Sequence, residues 1–87
     1  MKYKLKEHIA VSDAGVLFNP FSGESYSLND PGMEIITEIR KNQSKEEILT
    51  KLMENYEVEP ELISSDLEDF ILFMLHHQLI ELQLHES

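Results

Sequence analysis

The stretch Gly23-Glu24-Ser25-Tyr26-Ser27-Leu28-Asn29-Asp30-Pro31-Gly32-Met33-Glu34-Ile35-Ile36 changes its period halfway along. Ser25-Tyr26-Ser27-Leu28 alternates polar and apolar residues, the mark of a strand with one buried face. From Asn29 the pattern lengthens. Asn29 or Asp30 can cap a helix, and Pro31 suits its first turn, where the missing N–H would have had no partner anyway. Met33, Ile36 and Ile39 then recur at helical spacing, with Ile35 widening the apolar face. A strand therefore passes directly into a helix, which divides the chain into a β part and an α part.

On the N-terminal side, Ile9-Ala10-Val11 and Val16-Leu17-Phe18 are short apolar runs separated by the turn-like Ser12-Asp13-Ala14-Gly15. Phe18-Asn19-Pro20-Phe21-Ser22-Gly23 supplies the next turn. Strands are expected near 5–12, 15–19 and 24–28, joined as a small antiparallel meander. On the C-terminal side the first helix is expected over 31–41. Ser44-Lys45-Glu46-Glu47 has the capping-box spacing, in which serine and glutamate satisfy each other's backbone N–H groups. With Ile48, Leu49, Leu52 and Met53 behind it, a second helix is expected over 45–55. Pro60 opens a third, over 61–77. The tail Leu79-Ile80-Glu81-Leu82-Gln83-Leu84 alternates and suits a short final strand. The order implies one α+β domain over residues 1–87, a three-stranded antiparallel sheet followed by three helices in a winged helix-turn-helix-like arrangement.

The third helix carries too much apolar surface for one buried stripe. Leu67, Phe70, Ile71, Met74 and Leu75 make that stripe, yet Leu72 and Phe73 fall to either side of it at 100° per residue. The extra surface has to be covered by the sheet, by a second copy or by a ligand.

Composition narrows the function. The chain has 87 residues, no cysteine and a net charge of −10, so disulfides and thiolate metal sites are excluded. Residues 46–87 hold eleven acids against one base, Lys51, while residues 1–45 balance six acids with six bases. Such a chain repels phosphate backbones and attracts cationic partners. The expected third helix has Glu61, Asp66, Glu68 and Asp69 but no lysine or arginine, the reverse of a DNA recognition helix. No apolar run approaches the roughly 20 residues of a membrane helix, and no signal-peptide core opens the chain. These features imply a soluble cytoplasmic protein that binds neither nucleic acid nor membrane.

Catalytic patterns are missing as well. The adjacent His76 and His77 project about 100° apart on a helix, no histidine has an i, i+4 partner, and the three glycines are isolated. The expectation is no enzyme activity, no metal and no cofactor. The remaining candidate is peptide capture, because a short sheet has an edge with free N–H and C=O groups. The competing reading is an acidic structural or regulatory module that binds a folded protein.

A resemblance favours capture. Gly23-x-x-Tyr26-x-Leu28-Asn29-x-x-Gly32, then Ile35-Ile36 and Ile39, then Ile48 and Leu52 ahead of Tyr56-x-Val58 occur in sequence. Asp66-Leu67-x-x-Phe70-Ile71-x-x-Met74 and Leu79-Ile80 follow. Together, in that order and spacing, they resemble the PqqD family, the recognition elements of ribosomally made and post-translationally modified peptides. The resemblance implies a non-catalytic peptide chaperone. Its partners would be the leader segment of a precursor peptide and a modifying enzyme, such as a radical S-adenosylmethionine enzyme, a protease or a cyclase. The leader would add as a strand beside the backbone of Glu24, Ser25, Tyr26, Ser27 and Leu28. Asp66, Asp69, Leu72, Phe73 and His76 would line the groove from the third helix. The chain departs from the family at Gln78, where glycine is usual, so the third helix is free to run past residue 77. It also lacks the proline often found after the residue matched by His8.

Overall fold

The computed structural model describes residues 1–83; Leu84 and His85 lie outside them. Eight elements follow in order: β1 (Lys2–Leu5), β2 (Ala10–Val11), β3 (Val16–Asn19), β4 (Glu24–Ser27), α1 (Asp30–Arg40), α2 (Lys45–Asn55), α3 (Pro60–His76) and β5 (Ile80–Gln83). The meander and the three helices are those expected from the sequence. The sheet order is β2-β3-β4, antiparallel throughout.

The first expected strand, 5–12, is corrected. It is two strands in two sheets. Ile9 N–H donates to the Lys6 carbonyl across a tight turn, so the chain leaves β1 and re-enters as β2. β1 pairs antiparallel with β5, with Tyr3 opposite Leu82 and Leu5 opposite Ile80. The alternation Lys2-Tyr3-Lys4-Leu5-Lys6 encodes this, with Tyr3 buried between the half-buried Lys2 and the exposed Lys4. β5 therefore closes against β1 and, among the described residues, leaves the outer edge of β4 uncovered.

Between sheet and helices, Leu17, Ile36, Ile48, Leu67, Ile71, Met74, Leu79 and Ile80 are each less than 2 % exposed. Full burial of a side chain of this kind stabilises by about 2 kcal/mol. β3, the three helices and β5 each contribute a buried leucine or isoleucine, so the sheet, the helices and β5 share a single core.

The helix ends are fixed locally. Asn29 is the N-cap of α1; its Oδ1 accepts from Gly32 N–H at 2.8 Å. Ser44 and Glu47 form the expected capping box, at 3.1 Å and 2.8 Å. The hydrogen bonds from Ser44, backbone first, hold the Glu47 carboxyl below its ordinary range. The same corner anchors β1, because Lys45 N–H donates to the Met1 carbonyl. Replacing Ser44 with alanine is expected to cost about 1 kcal/mol, read as a lower midpoint in urea at unchanged slope.

The expected end of α3, near residue 77, is observed, and the question left open by Gln78 is answered. The helix stops at His76, and Gln78 takes the left-handed conformation, φ 57°, that glycine takes without cost. Leu79 N–H donates to the Met74 carbonyl and Gln78 N–H to that of Leu75, the two bonds of a Schellman cap. Leu79 and Met74, both buried, supply the apolar contact that goes with it. Burial of Leu79 overrides the preference of glutamine for helix. Gln78→Gly is therefore expected to raise stability by about 1 kcal/mol, measured by the same urea titration.

Candidate functional site: the flank of β4 and the wall of α3

Among the described residues, β4 is hydrogen-bonded on one side only. Its register pairs Val16 with Ser27, Leu17 with Tyr26, Phe18 with Ser25 and Asn19 with Glu24. Just beyond the strand, Leu28 N–H donates to the Gly15 carbonyl at 2.7 Å. In an antiparallel ladder, bonded and non-bonded pairs alternate. The main-chain groups of Glu24, Tyr26 and Leu28 therefore face β3. Those of Ser25 and Ser27 point outward, and among the described residues no strand covers them. The side chains alternate too. Tyr26 lies on the same face as the fully buried Leu17, turned toward α3, while Ser25 and Ser27 are exposed.

Alongside this flank runs a cleft of about 470 Å³, lined by Ser25–Asn29 from the β4 side and by Phe70, Phe73 and Met74 from α3. Its α3 wall is aromatic. Phe73 meets the Tyr26 ring edge-on, with centroids 5.7 Å apart, and lies 4.3 Å from the His77 ring. The Tyr26 hydroxyl is 3.4 Å from His77 Nδ1 and donates to Glu24 Oε1 at 3.2 Å. Desolvation first, then the Glu24 carboxylate, pushes the Tyr26 phenol above its ordinary value. It remains a hydroxyl donor across the physiological range.

A second cleft, about 430 Å³, continues from the first through Asn29 and Phe70, which line both. Its floor is apolar: Ile35, Leu52, Ile63 and Leu67, with Tyr56 and Val58 at one side. Asp66 and Asp69 stand on its α3 rim. Gly32 lies where the two clefts meet. A Cβ there would sit 2.9 Å from the capping oxygen of Asn29 and 3.2 Å from the Phe70 ring, so the absence of a side chain lets the cap and the cleft wall coexist.

The residues singled out from the sequence divide as follows. Ser25, Tyr26, Ser27, Leu28 and Phe73 line the first cleft; Asp66 and Asp69 line the second. Glu24 is at the end of the strand, bonded to Tyr26. His76 is exposed, its ring 5.0 Å from that of His77. Leu72 is exposed and lines neither cleft. Around the first cleft, four lining or wall residues were not among them: Asn29, Phe70, Met74 and His77. Phe70, Phe73, Met74 and His77 follow i, i+3, i+4, i+7 spacing, so one helical stripe was legible. Phe70 and Met74 read as core because the same stripe also reaches the core.

A family profile described as coenzyme PQQ synthesis protein D (PqqD) matches residues 14–80. Two solved structures share the architecture. One, described as lasso peptide synthetase B1 complexed with the leader peptide, is 26% identical with a TM-score of 0.79, the match covering 95% of this chain and 100% of that one. The other, TbiB1 in complex with the TbiA(beta) leader peptide, is 22% identical with the same TM-score, covering 97% and 99%; it shows the shared fold. No curated protein matches. With the profile spanning both the β4 flank and the whole of α3, the chain belongs to the PqqD family.

Proposed function

We propose that this chain is a non-catalytic carrier that binds the leader segment of a ribosomally made precursor peptide and delivers it to a modifying enzyme. The observation that carries the proposal is the outward-facing backbone of Ser25 and Ser27 beside the Phe70–Phe73 wall. That edge can accept an extended guest as a fourth strand, with main-chain bonds for affinity and the clefts for side-chain selection. The likeness to a synthetase component complexed with its leader supports it. Tyr26, Leu28 and Phe73 would contact apolar leader side chains, while Asp66 and Asp69 would favour a basic one. Delivery works by concentration: a leader held on the carrier meets the docked enzyme far more often than a free one does. Family membership leaves the final product open, since the carrier reads the leader and not the part that is modified.

The test is titration of the ¹⁵N-labelled chain with synthetic leader segments of candidate ribosomal precursor peptides. Amide shifts are expected at Glu24–Leu28 and along Asp66–His77. Shifts confined to other surfaces would refute the reading.

A further inference from the structure

The β2-β3-β4 sheet has a second edge. Ser12 N–H donates to the Val16 carbonyl at 2.9 Å, and Ala10 pairs with Phe18, Val11 with Leu17. The alternation that turns Ser25 outward at β4 therefore also turns the N–H and C=O of Val11 away from β3. Among the described residues no strand lies beyond β2. This edge opens into a concavity of about 410 Å³ between β1, β2 and the end of α1. Its apolar lining is Leu5, Ile9, Val11 and Ile39.

The charge around it is opposite to that of the molecule. Lys4, Lys6 and Arg40 line the concavity against one acid, Glu7, in a chain of net charge −10. The neighbouring bases are engaged: Lys41 with Glu38 and Lys45 with Glu68. Glu81 lies across the ladder from Lys4, and no ion pair joins them. Near the end of α1 the carbonyls of Ile39 and Glu38 are occupied, by the N–H groups of Asn42 and Gln43. Three cations over an apolar floor, beside unpaired strand backbone, form a receptor for an extended chain that alternates carboxylates with apolar side chains.

We propose that the β2 edge with Lys4, Lys6 and Arg40 is a second docking site, taking an extended acidic segment of a partner protein. It lies at the opposite edge of the sheet from β4, so the two guests would not compete. A leader on one edge and a partner on the other would make the sheet a two-sided adaptor. The site stands independently of the leader reading.

The probe is a synthetic hexapeptide alternating glutamate and valine, with a lysine–valine hexapeptide as control, titrated into the full ¹⁵N-labelled chain. Shifts are expected at residues 4–11 and 39–42 with the acidic peptide, and binding should weaken at least about fivefold between about 50 and about 300 mM salt. The triple variant Lys4→Gln, Lys6→Gln, Arg40→Gln should weaken it about tenfold or more while shifts at Glu24–Leu28 from a leader persist. Equal binding of the lysine peptide, salt-independent binding, or shifts centred on β4 would overturn the proposal. So would sedimentation showing a wild-type dimer that the triple variant abolishes, because the occupant would then be a second copy. Loss of leader binding with the acidic-peptide shifts intact would instead count against the leader reading alone.

Discussion

Ser27→Pro should abolish most leader binding while leaving the fold standing. The N–H removed points away from β3, so the β3–β4 ladder keeps its bonds, and proline is tolerated on an edge strand in this orientation. The preceding Tyr26 is already extended, as a residue before proline must be. A stability loss of about 1 kcal/mol or less is expected. The incoming strand, however, loses a donor and meets the ring, and its affinity should fall by about thirtyfold or more, roughly 2 kcal/mol. Tyr26→Pro is the matched contrast: its N–H faces Leu17, so that substitution should break the hairpin and cost about 3 kcal/mol of stability. Isothermal titration beside urea unfolding separates the two. Wild-type affinity in Ser27→Pro would show that the guest does not bind by strand addition.

Phe73→Ala tests the other wall of the cleft. Phe73 is 44% exposed, so truncation should cost the free protein little, about 1 kcal/mol from its contacts with Tyr26 and His77. In the complex the ring would be covered, and aromatic anchors of this kind dominate binding energy. A loss of about 2 kcal/mol in affinity is expected, seen mainly as faster dissociation. Leu72→Ala is the control. Leu72 is more exposed than Phe73 and lines neither cleft, so its truncation should leave leader affinity unchanged. If the two behave alike, the guest runs over the outer face of α3 and not through the cleft.

Helix boundaries were legible because their signals are local. The Ser44–Glu47 box and the Asn29–Pro31 start each involve residues a few positions apart, and both caps are in place. The N-terminal strands were harder, because splitting residues 2–11 between two sheets depends on β5, some 75 residues away in the chain. Gln78 left the end of α3 open for a related reason: local preference favours helix, but Leu79 must reach the core, and the chain turns where that demands. At the candidate site, the strand and Phe73 were legible from periodicity and family likeness together. Phe70 and Met74 were not, since a residue that borders both core and cleft has the same sequence signature as one wholly inside. The outward direction of the Ser25 and Ser27 backbone is set by the register of the hairpin, which composition does not specify.

That direction carries an implication for whatever sequence the chain accepts. A guest laid along β4 shows one side chain to the Phe70–Phe73 wall and the next to solvent, in turn. Selection should therefore act on every second position, with neighbours free to drift. Precursors served by this protein should look unrelated when compared letter by letter, yet agree once read with a stride of two.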